Sequence, residues 1–144
     1  MNADRAPVPS IRGVLETSLY CDDLAATADF YEDVMGLRAH FQDDRLVALD
    51  ASGSSVLLLF ARGASRMGVT FAEGTIPGHD GSGPAHLAFA VDADDLEAWE
   101  ARLATGGVAI ESRITWTRGG RSIYFRDPEG HSVELATPGV WPTY

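Results

Sequence analysis

Three side chains of ligating type, Glu16, His86 and Glu134, stand in strand-like segments at positions that alternation turns away from the greasy face. In residues 14–21 the period of two sets Leu15, Thr17, Leu19 and Cys21 on one side and Glu16, Ser18 and Tyr20 on the other. In residues 85–91 it sets Leu87, Phe89 and Val91 against His86, Ala88 and Ala90. In residues 132–136 Ser132, Glu134 and Ala136 share a face, so a carboxylate stands where an ordinary strand carries Val or Thr. Carboxylates and imidazole are donors for divalent cations, and the same groups serve as general bases. The plainer alternatives are a solvated strand face, an ion pair of either glutamate with Arg121 or Arg126, and a satisfied structural histidine at position 86.

A second group suits substrate contacts. In the segment Trp116-Thr-Arg-Gly-Gly-Arg-Ser-Ile-Tyr124, Arg118 and Arg121 flank a flexible glycine pair. Their guanidinium forks match a carboxylate, phosphate or phosphonate. Tyr124 follows on a strand; with Ile123 and Phe125 in the core, Ser122, Tyr124 and Arg126 face the Glu134 side. His79 lies in a Gly/Pro-rich stretch, residues 74–84, that serves as a lid or only as a linker. Ordinary turn duty for the arginines and an exposed loop position for His79 are the alternatives. His131 falls in a turn, His40 faces solvent, and Phe30 and Trp99 read as core.

Positioning these groups requires two similar sets of elements. A strand over residues 14–20 leads to Asp22-Asp23 as a cap and to a helix with apolar residues at Leu24, Ala28, Tyr31 and Met35, closed by Gly36. Short strands follow at 38–42, 46–49 and 55–60. The order then returns: a strand at 85–91, Asp94 with Glu97 as a capping box, a helix over 96–103, Gly106-Gly107 and three more strands. Glu16 and His86 lie 70 positions apart, while Asp50, Gly53 and Val56 recur 77 positions later as Asp127, Gly130 and Val133. The spacing predicts an internal duplication with a seven-residue insertion. One domain then spans 1–144, with module one at 12–62, a connection at 63–84, module two at 85–138 and a tail at 139–144.

Composition limits the partners. The 144 residues suit a single domain, and an apolar share of 45% is enough for one core. A formal charge of −10 repels phosphate backbones and anionic lipid, which argues against nucleic acid and membrane partners. The single cysteine, Cys21, has no internal partner, and the first thirteen residues lack an apolar signal core, so a reducing, cytoplasmic setting is expected.

The runs V-L-E-T-S-L-Y-C-D-D-L, F-Y-E-D-V-M-G-L, G-P-A-H-L-A-F-A-V-D and Y-F-R-D-P-E-G-H-S-V-E-L-A together resemble the vicinal oxygen chelate superfamily, which includes glyoxalase I, bleomycin resistance proteins, fosfomycin resistance enzymes and extradiol dioxygenases. The likeness covers about residues 12–138, and F-x-D-P-x-G-x-x-x-E-L is its most specific part. It implies an α+β fold in which two tandem βαβββ modules form a half-barrel-like curved sheet around a pocket. It further implies one divalent metal ion held by Glu16, His86 and Glu134, a small-molecule substrate and a homodimer. The fourth ligand of glyoxalase-type members falls on Leu57, so a four-ligand site is incomplete. Three-ligand members usually carry two histidines and one carboxylate, whereas Glu16 here replaces the first histidine. One imidazole with two carboxylates suits Mn²⁺, Fe²⁺, Ni²⁺, Zn²⁺ or Mg²⁺ acting as a Lewis acid on vicinal oxygens. Glu16 or Glu134 is the candidate base.

Three functions fit this reading. The first is a metal-dependent lyase, isomerase, dioxygenase or group transferase. The second is a metal-free drug-binding protein of the bleomycin resistance type. The third is a degenerate module kept for interaction, with neither metal nor an enclosed pocket.

Overall fold

In a computed structural model, residues 6–144 are described. The chain opens with β1 (Glu16–Cys21), whose inner residues Leu19 and Cys21 are buried while Leu15 stays exposed. Asp23 caps α1 (Leu24–Asp29), its carboxylate accepting from the Ala26 N–H at 3.0 Å. The helix runs on through residues 30–34 in a wider turn, where the Met35 N–H reaches back five residues to Phe30 O at 3.3 Å. Gly36, at φ 73°, then ends it. Strands β2 (Arg38–Gln42), β3 (Leu46–Asp50) and β4 (Val56–Ala61) complete the first module. The sheet order is β1-β4-β3-β2, with β1 and β4 parallel, and α1 makes the crossover that a parallel pair requires.

The second module repeats this plan with β7 (His86–Ala90), α2 (Leu96–Thr105), β8 (Ser112–Thr115), β9 (Arg121–Arg126) and β10 (Ser132–Ala136), in the order β7-β10-β9-β8. A 3₁₀ turn at Ala93–Asp95 precedes α2, and the residues before the helix make no side-chain cap. The capping box expected from Asp94 and Glu97 is therefore not formed, because Asp94 is wound into that turn instead of standing outside the helix. Between the modules the connection is not a bare loop. It contains a hairpin, β5 (Val69–Phe71) with β6 (Gly74–Ile76). At Gly68, φ is +74° and a Cβ would come 2.6 Å from the Ile76 carbonyl, so only glycine fits where the hairpin closes.

One apolar cluster joins both modules: Leu19, Tyr31, Leu49, Leu57 and Leu59 pack with Leu103, Ile123, Phe125, Val133 and Leu135. A polar seam crosses the same boundary through the turn 127–131. Buried Asp127 accepts from the His131 N–H at 3.0 Å and from the Tyr31 hydroxyl, on the first module's helix, at 2.8 Å. His131 is 2% exposed rather than lying free in its turn. Its Nδ1 accepts from the Ala85 N–H at 2.9 Å, and its Nε2–H donates to Tyr20 O at 3.0 Å. An amide N–H only donates and a carbonyl only accepts, so both ring nitrogens are assigned and the imidazole is neutral. Among the described residues, no helix is long and apolar enough to cross a membrane.

Candidate functional site

Strand register brings four polar residues of module two together. Along β10, Ser132 stands beside His86 and Glu134 beside Ala88 on β7. On the other flank, Glu134 lies opposite Tyr124 and Ala136 opposite Ser122 on β9. His86, Glu134, Tyr124 and Ser122 therefore share one face of the sheet. His86 Nε2 is 3.3 Å from Glu134 Oε2. Glu134 Oε1 accepts from the Ser122 hydroxyl at 2.6 Å and the Tyr124 hydroxyl at 3.0 Å. Trp116 Nε1–H donates to Ser122 Oγ at 2.8 Å, completing a chain that ends on the carboxylate. The His86 and Tyr124 rings stack with centroids 6.2 Å apart. Burial, then the hydrogen bond and charge of Glu134, push the Tyr124 phenol above its ordinary range, so it remains a donor.

The protons show what this pair wants. His86 Nδ1 lies 3.0 Å from the Ser132 carbonyl, which only accepts, so Nδ1 carries the hydrogen. In the neutral ring Nε2 then points a lone pair at a carboxylate oxygen. Two acceptors at that distance call for a positive charge between them, a proton or a metal ion. A cation with ligand bonds of about 2.0–2.2 Å bridges such a gap easily. The outer partners are also those a metal site uses: a carbonyl orients the imidazole, and hydroxyls hold the far carboxylate oxygen. The residues fit a divalent cation on this side of the molecule.

Glu16 is not with them. It pairs with Val56 on β4 and lines a hollow in module one together with Ser18, Tyr20, Arg45, Leu58, Phe60 and His79. Among the described residues, no three His, Cys, Asp or Glu side chains are arranged to hold one metal ion. His79 is half-buried: its Nδ1 is 2.7 Å from the Tyr20 hydroxyl, and its ring meets Phe60 edge-on at 4.6 Å. Arg121, next to Ser122 in an alternating strand, points to the helix side, where Nη2 approaches Ala93 O at 3.4 Å. Arg118 is exposed in the turn before β9. No hydrogen bond or ion pair joins either arginine to His86 or Glu134, and Arg126 is taken by Glu111 at 2.7 Å.

Strand register also corrects the internal alignment. Glu16 pairs with Val56 and His86 with Ser132, so β4 and β10 correspond at an offset of 76, not the 77 of the shared Asp-x-x-Gly motif. Asp50 is the last paired residue of β3, whereas Asp127 lies one step beyond Arg126, the last paired residue of β9. The position equivalent to Glu134 is Leu58 rather than Leu57, and it still carries no ligand. Ser122 was placed on the right face by alternation alone. Trp116 gave no such signal, because its role rests on the turn folding back over β9.

A sequence profile of the glyoxalase/bleomycin resistance protein/dioxygenase superfamily matches residues 13–135. The chain belongs to that superfamily. Its relatives include a metallothiol transferase FosB of Bacillus licheniformis, 28% identical over 132 residues that make up 91% of this chain and 79% of the relative. FosB of Staphylococcus saprophyticus is 24% identical over 88% of this chain and 78% of its own. Among solved structures, lactoylglutathione lyase from Agrobacterium tumefaciens superposes with a TM-score of 0.83 at 33% identity, covering 93% of this chain and 99% of that one. The fosfomycin resistance protein FosX from Listeria monocytogenes shares the fold at a TM-score of 0.65 and 17% identity, over 91% and 97% of the two chains. Membership of the superfamily accounts for the duplicated βαβββ plan and for the parallel β7–β10 pair that sets His86 against Glu134.

Proposed function

We propose that this member of the superfamily is a divalent-metal-dependent enzyme acting on a small molecule with adjacent oxygens, and that His86 and Glu134 hold its metal. The observation that carries this reading is the lone pair of His86 Nε2 facing Glu134 Oε2 at 3.3 Å, with both outer atoms already fixed by protein donors and acceptors. Glu16 is supplied to this pair by module one of a second copy, in keeping with the expected homodimer. When bound, the metal supplies Lewis acidity toward a substrate oxygen.

The chain's own residues set the remaining roles. Ser122 and Tyr124 hold Glu134 Oε1 and keep that carboxylate in place as a ligand. Glu16, which accepts no side-chain hydrogen bond among the described residues and lines an open hollow, is the freer carboxylate to take a proton from substrate. The Tyr124 ring stacks beside His86 and packs one side of the imidazole. The missing carboxylate at Leu58 favours a three-ligand group transfer, such as the thiol transfer for which FosB is named, over the four-ligand lyase chemistry of glyoxalase type. An apolar cleft of about 700 Å³ between the edges of β1 and β7, lined by His86, Phe89 and Trp99, is of a size for a small organic substrate.

The test is metal content, by mass spectrometry, of protein purified without chelator or histidine tag. Near one metal per chain in the wild type, lost in His86→Ala and Glu134→Gln, supports the reading. Empty protein after addition of Mn²⁺, Fe²⁺, Ni²⁺ and Zn²⁺ overturns it and leaves a metal-free small-molecule binder. The sharing of Glu16 is tested by mixing inactive Glu16→Gln with inactive Glu134→Gln: regained activity means that one complete site forms from two copies.

A further inference from the structure

We propose, resting on the metal reading above, that buried His131 is a positioning residue for His86. The His86 side chain is 52% exposed, so its place depends largely on the backbone that enters β7. Hydrogen bonds tie that backbone to residues 131 and 132. The Ser132 N–H donates to Ala85 O at 2.9 Å, the His86 Nδ1–H to Ser132 O at 3.0 Å, and the Ala85 N–H to His131 Nδ1 at 2.9 Å.

The bond to His131 differs in kind from the other two. Its acceptor is a side chain only 2% exposed, whose far end is fixed on β1, 111 positions away, by the bond from Nε2–H to Tyr20 O at 3.0 Å. That far bond puts the ring hydrogen on Nε2 and leaves Nδ1 free to accept. The Ser132 carbonyl does the converse for His86, keeping the hydrogen on Nδ1 and turning the Nε2 lone pair toward Glu134. Two imidazoles thus act in series: the first, locked between modules, holds the backbone that presents the second.

Module one shows that the turn itself does not need an imidazole. There the Ala51 N–H donates to Ser55 O at 2.9 Å, as the Asp127 N–H donates to His131 O at 3.2 Å. The Val56 N–H donates to Leu15 O at 2.8 Å, as the Ser132 N–H does to Ala85 O. Ser55 therefore takes the place of His131, and the same turn and strand entry form around a side chain with no ring. The imidazole strap belongs to the module whose first strand opens on His86.

Two substitutions in the full chain divide the work of the ring. His131→Asn keeps an acceptor where Nδ1 stands and loses the reach to Tyr20 O, whereas His131→Gln keeps a donor where Nε2 stands and loses the acceptor for Ala85. The first readout is the His86 tautomer in metal-free protein, by ¹⁵N NMR. His131→Asn should keep the hydrogen on His86 Nδ1, as in the wild type, and His131→Gln should give a mixture of both tautomers. Ala85→Pro removes the same bond from the donor side and should act as His131→Gln does, which keeps the test open if that variant does not fold. The second readout is Mn²⁺ affinity, within about threefold of the wild type in His131→Asn and about tenfold weaker in His131→Gln. Tyr31→Phe, which loosens the same seam without touching Ala85, should leave the His86 tautomer alone. Equal effects of the Asn and Gln variants, or a Tyr31→Phe shift as large as that of His131→Gln, would mean that His131 only supports the fold and would overturn the proposal. A wild type that takes up no metal, while the tautomer still separates Asn from Gln, overturns the metal reading and leaves the positioning of His86 standing.

Discussion

The two modules share a backbone plan, and set side by side they divide the polar work. On the face that holds His86, module two places Ser122, Tyr124 and Glu134 where module one has Leu46, Ala48 and Leu58. Along the first and last strands the contrast reverses. Module two has Ala88, Ala90 and Ala136 where module one has Ser18, Tyr20 and Phe60. Small residues leave the His86 face open, with the His86 side chain 52% exposed, whereas large aromatics and the connection through His79 crowd the other face. Duplication supplied two equivalent frames. The side chains then made one a polar face and the other an aromatic hollow.

That contrast breaks most visibly at its central position. Glu134→Gln should lower divalent-metal affinity by at least about 100-fold, since it removes a proposed ligand and not merely a ligand's support. Leu58→Gln, the same change of shape at the equivalent place, should leave metal stoichiometry unaltered. Calorimetric titration with Mn²⁺ measures both, and parallel losses would mean that the two faces are not functionally distinct. Next in size is Ser122→Ala, which takes away the 2.6 Å donor to Glu134 Oε1 and strands Trp116 Nε1–H. About a 10- to 100-fold loss of affinity is expected from removing such an outer partner.

How far the sequence speaks follows the same division. Alternation assigned His86, Glu134, Ser122 and Tyr124 to one face, because strand geometry is local and has a period of two. The β-α-β-β-β order and its repeat were likewise legible from caps, glycines and apolar spacing. What escaped depends on contacts between distant segments. The buried bridge of His131 from Tyr20 to Ala85 joins residues 111 and 46 positions apart, and no periodicity reports it. The hairpin at 69–76 was hidden because its strands are only three residues long, too short for alternation to register. The one-residue error at Leu57 arose from trusting a shared turn motif over strand pairing. Glu16 could be placed on its face, but alternation does not say which residues meet it there.

The seam between the modules gives a smaller effect with an internal control. Tyr31→Phe removes a 2.8 Å hydrogen bond to the buried carboxylate of Asp127, which keeps its backbone donors at Glu129 and His131. About 1.5 kcal/mol of stability should be lost, read as a lower urea midpoint at unchanged slope. Asp50, the first module's counterpart in the Asp-x-x-Gly motif, is half-buried, caps the Gly53 N–H and lies 3.8 Å from His40 Nε2 at the surface. Asp50→Ala should cost less than about 1 kcal/mol.

The smallest expected effect separates the modules by pH. Cys21, on the inner face of β1, is 1% exposed, whereas the residue 70 positions later is Val91. Burial pushes the Cys21 thiol up to about 12; the charges of Glu129 and Asp127 add to this and the Thr27 hydrogen bond opposes it. The unfolded thiol ionises near 9, so between about pH 9 and 12 the unfolded chain binds fewer protons than the folded one, and stability falls as pH rises. All eleven basic residues are arginine, so no lysine titrates within that window. From pH 8 to 10 the loss from Cys21 should be on the order of 1 kcal/mol, with a lesser share from Tyr31, whose phenol is also raised by burial. Cys21→Ala should flatten most of this slope in urea unfolding measured at each pH, whatever it does to stability at pH 7. An unchanged slope would mean that the thiol is not held neutral in the folded state. Val91→Cys would then be the informative companion. It places the same group on the second module's half-buried β7 edge, where a shallower slope is expected because water reaches the thiolate.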